Sequence, residues 1–130
     1  MVLAFFDAIN QHDPGKLAGL MTAGHDFVDS LGNSVCGREK MLAGWRAYFA
    51  IRPDYRVSNE DIFPDGNTVA VFGSAGGTMS ANGKLLPENK WRTPAAWRAV
   101  LRDGLIQEFR VYAGNKPVYE ILAKPPQPAS

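Results

Sequence analysis

The eight residues His25-Asp26-Phe27-Val28-Asp29-Ser30-Leu31-Gly32 stand between two helical patterns and a third. Alternation puts His25, Phe27 and Asp29 on one side of an extended segment, and Asp26 and Val28 on the other. Two acids in five residues are unusual for a plain strand. Upstream, Val2, Phe5, Phe6 and Ile9 fall at i, i+3, i+4 and i+7, so a first helix runs from about Met1 to Gln11-His12. Asp13-Pro14 starts a second, short helix: the carboxylate caps orphan N–H groups, proline suits the first turn, and Leu17, Leu20 and Met21 form the apolar stripe. Thr22-Ala23-Gly24 breaks that pattern before the strand. Downstream, Ser34-Val35-Cys36 leads through Gly37 into a third helix, where Met41, Leu42, Trp45, Tyr48 and Phe49 make a broad aromatic stripe that ends at Arg52-Pro53.

Past Pro53 the period changes from helical to alternating. Tyr55 to Phe63 reads as a strand, Pro64-Asp65-Gly66-Asn67 as a turn, and Thr68 to Ser80 as a long strand that Gly73, Gly76 and Gly77 bend or bulge. Asn82-Gly83 is a hairpin signal. Lys84 to Asn89 reads as a polar connection, followed by a strand from Trp91 to Arg102, an Asp103-Gly104 hairpin and a last strand from Leu105 to Tyr112. Pro94 predicts a bulge or an edge position, because proline cannot donate to a ladder. Asn115 to Leu122 reads as a short closing helix or an irregular edge. The chain thus reads as a single domain over residues 1–123 and a frayed, proline-rich tail over 124–130.

Composition agrees with one folded domain. The chain has 130 residues, 45% hydrophobic and 21% charged, which sets it apart from disordered and fibrous sequences. Fourteen basic residues against 13 acidic ones leave no field to draw in nucleic acid or an anionic membrane. A single cysteine, Cys36, excludes an internal disulfide and a multi-cysteine zinc site and fits a reducing cytoplasm. The first residues lack the basic start and apolar run of a signal peptide, and no stretch reaches the ~20 apolar residues of a membrane span. His25 and His12 show no metal-ligand spacing, so no metal is expected.

Three helices, with the first strand between the second and third, followed by a long antiparallel meander, resemble the nuclear-transport-factor-2-like superfamily. Phe5-Phe6-Asp7-Ala8-Ile9-Asn10-Gln11-His12-Asp13 is similar to its opening helix and turn, and His25 to Gly32 to its first strand. Gly37-Arg38-Glu39 opens an aromatic helix as in that superfamily, while Trp97, Asp103-Gly104, Glu108 and Tyr112 fit its last hairpin. The closest branch is the SnoaL-like one. The resemblance implies an α+β fold, a cone-shaped α+β barrel in which three helices pack on a strongly curved, mostly antiparallel sheet with a pocket at the open end. It also implies a homodimer through the open sheet face. Because the superfamily includes isomerases, polyketide cyclases, epoxide hydrolases, dehydratases and non-catalytic modules, fold alone does not name the activity.

Asp29 is the catalytic candidate. In ketosteroid isomerases, the general base is an aspartate at the end of the first strand, followed within three residues by glycine, and Asp29-Ser30-Leu31-Gly32 matches that placement. The same four residues are also ordinary turn chemistry. The oxyanion hole of those isomerases needs a tyrosine on the first helix and a protonated acid on the penultimate strand. Here those positions fall near Phe5 and near Ala96 or Trp97, which disfavours steroid isomerisation by that mechanism. Superfamily epoxide hydrolases carry an Arg-x-Asp pair on one strand, and the expectation here is that no such pair occurs; Arg102-Asp103 is adjacent and sits in a turn.

His25, Phe27, Trp45, Phe49, Tyr55, Trp91, Trp97, Glu108 and Tyr112 complete the candidate pocket, with aromatic walls and a few polar groups for a small hydrophobic or aromatic ligand. Parity leaves open which of Glu108 and Phe109 faces inward. Four residues along a strand put His25 and Asp29 about 13 Å apart, too far for a dyad. The expected function is a cofactor-independent isomerase, cyclase or hydratase with Asp29 as acid or base. The alternatives are a binding module for a hydrophobic ligand and a structural dimer with a filled cone.

Overall fold

A computed structural model describes residues 1–81, 84–114 and 120–121. In chain order the elements are α1 (Val2–Asn10), α2 (Pro14–Gly19), β1 (Met21–Val28), β2 (Ser34–Cys36), α3 (Arg38–Ile51), β3 (Arg56–Asp65), β4 (Thr68–Ala81), β5 (Lys84–Arg102) and β6 (Leu105–Ala113). The six strands form one sheet in the order β2-β1-β6-β5-β4-β3. All pairings are antiparallel except β1 with β6, which run parallel. The sheet is curved and unclosed, with β2 and β3 at its free edges, and the three helices pack on it: an α+β fold as the sequence implies.

The start of α2 follows from its local residues. The Asp13 carboxylate accepts the Lys16 N–H at 3.1 Å at the start of α2, with Pro14 in the first turn. α1 buries Val2, Phe5, Phe6, Ala8 and Ile9 as one face. Those rings meet β6 at Phe109, which lies 4.7 Å from Phe5 and 5.6 Å from Phe6 between ring centroids; Phe6 also meets Trp97 edge-on at 5.0 Å.

The curvature has local causes. Register shifts interrupt the ladders between Met21 and Asp26 on β1, Asn59 and Asp61 on β3, Thr78 and Ser80 on β4, and Val100 and Leu101 on β5. Each such irregularity bends its strand. Gly73 sits opposite the β3 shift, where a Cβ would overlap the Ser58 carbonyl oxygen, and a Cβ on Gly76 would overlap the Trp91 carbonyl oxygen. The glycines read as bend signals are therefore places of close backbone approach. The Asp103-Gly104 turn has positive φ at both residues, 51° and 78°, which is the conformation that pair favours in a two-residue hairpin.

Several boundaries differ from the sequence reading. Thr22-Ala23-Gly24 lies within β1 rather than before it; the break signal marks the register shift in the β1–β6 pairing. Ser34 to Cys36 forms β2, three exposed residues paired with Val28 to Asp26, too short to show alternation. Pro64 and Asp65 pair with Val69 and Thr68, leaving only Gly66 and Asn67 as the turn. Lys84 to Asn89 belongs to β5, its side chains exposed or half-buried, so no apolar alternation announced a strand there. Pro94 causes no register shift against β4, where it faces Ser74; the β6 ladder reaches only Ala95, so the missing N–H costs no bond to β6. The Asn82-Gly83 turn, all but residues 120–121 of the proposed closing segment, and the 124–130 tail lie outside the described residues.

Candidate functional site

A cavity of about 430 Å³ lies between α3 and the inner face of the sheet. Trp45 and Tyr48 come from α3, Arg52 and Tyr55 from the connection after it, Trp91 and Trp97 from β5, and Phe109 and Val111 from β6. Phe27, Asp29 and Ser30 bring the end of β1 and its turn to the wall, with Ile9 and Val35 beside them. All three tryptophans of the chain therefore line it. The size and the apolar wall with few polar groups are those of a small-molecule site.

Asp29 is the one carboxylate among the described wall residues. Its Oδ1 accepts the backbone N–H groups of Leu31 and Asn33, both at 2.9 Å, and its Oδ2 accepts the Asn33 side-chain amide at 3.3 Å. Backbone bonds between Asp29 and Asn33 and between Asp29 and Gly32, whose φ is 87°, close the loop. The carboxylate is thus a turn anchor and a wall group at once. With about two lone pairs per oxygen, Oδ2 keeps one acceptor position open.

Elsewhere on the wall, the Tyr48 and Tyr55 rings meet edge to face at 4.9 Å between centroids. Burial raises the Tyr48 pKa, partly offset by the Arg52 charge. Burial raises Tyr55 well above its usual value, reinforced by Tyr48 and opposed by Arg52. Both phenols are neutral at physiological pH. The Arg52 guanidinium carbon sits 4.1 Å from the centre of the Tyr48 ring, and its Nε is buried without a partner. Tyr48 and Arg52 are one helical turn apart, so the end of α3 brings them together.

The backbone that carries this cluster is held from three sides. The Asp54 carboxylate accepts the Thr78 N–H at 2.6 Å and the Thr78 hydroxyl at 2.7 Å. Burial would raise the Asp54 pKa, but these bonds outweigh it and hold it below its usual value. His12 Nε2 donates to the Tyr55 carbonyl at 2.6 Å, and the Tyr55 N–H donates to the Arg52 carbonyl at 3.0 Å. Contrary to the expectation that no Arg-x-Asp pair occurs, Arg52-Pro53-Asp54 has that spacing; it lies in a helix-to-strand connection and its acid is engaged by Thr78.

Of the residues singled out in the sequence, Phe27, Asp29, Trp45, Tyr55, Trp91 and Trp97 meet at the cavity. The others lie elsewhere. Phe49 faces away from the wall, stacked on His12 at 4.4 Å and 5°. His25 is fully buried 6.4 Å from Phe5, and its Nδ1–H donates to the Ile106 carbonyl at 2.8 Å. Phe109 takes the inward position on β6, which puts Glu108 on the opposite face, 3.9 Å from Arg98. Tyr112 is on that outer face too, half exposed, with Arg110 5.3 Å over its ring. Arg52 was legible only as a helix end, because an arginine before proline reads as a stop signal. Its i, i+4 spacing from Tyr48 is the clue that could have found it. Among the described residues, no group of three or more His, Cys, Asp or Glu side chains could hold a metal ion.

The SnoaL-like domain profile matches residues 2–109, most of the chain and every wall residue except Val111. The chain belongs to the SnoaL-like domain family. Solved structures with the SnoaL-like fold superpose over nearly the full length. A candidate SnoaL-like polyketide cyclase from Jannaschia sp. CCS1 is 23% identical with a TM-score of 0.81, covering 96% of this chain and 90% of its own. IdmH, a candidate polyketide cyclase from Streptomyces antibioticus, is 22% identical with a TM-score of 0.75, covering 95% and 96%. A hypothetical protein with a ketosteroid isomerase-like fold from Catenulispora acidiphila DSM 44928, in complex with trimethylamine, is 20% identical with a TM-score of 0.80, covering 99% and 96%. At these identities the likeness shows the fold that SnoaL-like domains share. No curated protein matches the sequence. None of the described helices is long and apolar enough to cross a membrane.

Proposed function

We propose that the cavity of this SnoaL-like domain holds a small, largely apolar substrate. On this reading Asp29 acts on it as a cofactor-independent general acid or base, in an isomerisation, cyclisation or hydration. The observation that carries the reading is the anchored carboxylate in the apolar wall: Oδ1 is fixed by two backbone donors while Oδ2 keeps an acceptor position for a substrate proton. The cyclase-like neighbours and the neighbour with trimethylamine support a small-molecule role for this fold. The exposed, unbridged Cys36 is compatible with a cytoplasmic setting.

A second reading, a module that binds a hydrophobic ligand without turnover, draws on the same carboxylate, since three turn donors already give Asp29 a structural task. Asp29→Asn separates the two. The amide oxygen still accepts the Leu31 and Asn33 N–H groups, so the turn survives while basicity is lost. Across a panel of carbon acids and hydration substrates, the first reading expects ligand affinity to be retained and turnover to fall about a hundredfold or more. Turnover equal to that of the unaltered protein would remove Asp29 as a catalyst.

A further inference from the structure

We infer that Arg52, together with Tyr48 and Tyr55, forms a carboxylate-binding end of the cavity, and that the ligand is an apolar molecule bearing one carboxylate group. The inference rests on the cavity being the ligand site, as proposed above, and names the class of ligand it takes.

The wall carries one fixed negative and one fixed positive side chain, and they are in different states. Asp29 is engaged by its own turn, whereas among the described residues no carboxylate lies within ion-pair distance of Arg52; the ion pairs among them are Arg38 with Glu39 and Arg98 with Glu108. Five buried side-chain polar atoms among the described residues lack a hydrogen-bond partner, and three of them belong to this wall: Nε of Arg52 and Nε1 of Trp45 and Trp91. All three are donors. Both tryptophans are 7% exposed, so bulk water does not solve the deficit. Orphan buried donors are costly, and their concentration at one cavity calls for an acceptor that the protein itself does not supply.

Tyr48 and Tyr55 add to the same excess. Each phenol carries one O–H donor, and burial keeps both protonated. An oxyanion beside Arg52 is therefore met by a charge and by neutral donors, the combination in which hydrogen bonds are strongest. The Asp54–Thr78 and His12–Tyr55 bonds hold the connection in place before any ligand arrives. Aromatic walls alone would equally suit an ammonium group. Here the guanidinium already covers the Tyr48 face and repels a second cation.

Three probes of one shape test this: adamantane-1-carboxylate, 1-adamantanemethanol and 1-adamantyltrimethylammonium. All are transparent where tryptophan emits, so the three wall tryptophans report binding to the full chain. The carboxylate is expected to bind at least about tenfold more tightly than the alcohol, with the ammonium weakest. Arg52→Gln should bring the carboxylate-to-alcohol affinity ratio down to about one, and Arg52→Lys should restore part of it. Without any substitution, the ¹⁵N-detected Nε–H resonance of Arg52 should move on adding the carboxylate and stay in place with the alcohol. Equal affinity for carboxylate and alcohol, tighter ammonium binding, a preference that survives Arg52→Gln, or an unmoved Arg52 resonance would each overturn the inference. Failure of all three probes to bind would instead strike the ligand-site reading itself, and the carboxylate end with it.

Discussion

His25 shows how far a single side chain can mislead when read by its chemistry alone. It shares a strand with Asp29, but its neutral ring is fully buried, with Nδ1–H on the Ile106 carbonyl and Nε2 without a partner. Burial lowers its pKa from 6.5, against smaller opposing effects of the Ile106 hydrogen bond and Asp26. In the unfolded chain the ring takes a proton near 6.5, while in the folded protein it resists until lower pH. The unfolded state therefore binds more protons in that window, and stability falls as pH drops through and below about 6.5. Urea unfolding between pH 8 and pH 5 should show this decline. His25→Gln should flatten it, and an unchanged slope would assign the effect to other groups. Asp29 was the other residue legible in advance, because an aspartate three residues before glycine fits both a turn and a wall. The structure places it in both, which no pattern of spacing could show.

Elements formed by local codes were the easiest to read. Asp13-Pro14 capped α2, the 3.6 period gave α1 and α3, and Asp103-Gly104 closed its hairpin. What escaped was set by partners distant in sequence. β2 exists because Val28 to Asp26 offers it an edge, and the polar start of β5 is a strand because β4 continues beside it. The glycines of β4 lie between these cases: the sequence announces a bend, and only the register shows which backbone each one meets. Gly73→Ala should cost about 1–3 kcal/mol, since the added methyl overlaps the Ser58 carbonyl where β3 shifts register. Thermal unfolding checks it, and a variant as stable as the original would mean that β3 can move away without loss.

At the scale of the whole molecule, the inner face of the sheet is occupied by helices and cavity, while the outer face leaves aromatic surface in solvent. Phe63 and Phe72, 59% and 47% exposed, meet edge to face at 5.9 Å, and Tyr112 lies on the same side of the sheet. We propose that a second copy covers this face. Multi-angle light scattering should then give twice the 14.2 kDa chain mass, and Phe72→Glu should shift it to the monomer; a monomeric original would refute the dimer. The fold was readable because element order and aromatic stripes carry it. The cavity was half readable, because parity names the face of a strand but not the depth along it, which is where His25 and Phe27 part company. The central claim, that the cavity is a ligand site, is tested most directly by following the three indole N–H resonances during titration with 1-adamantanemethanol. The account predicts saturable shifts of Trp45, Trp91 and Trp97 together, with the Asp29–Asn33 turn amides moving alongside. Indoles that stay fixed at saturating concentration, or shifts confined to the outer sheet face, would contradict it.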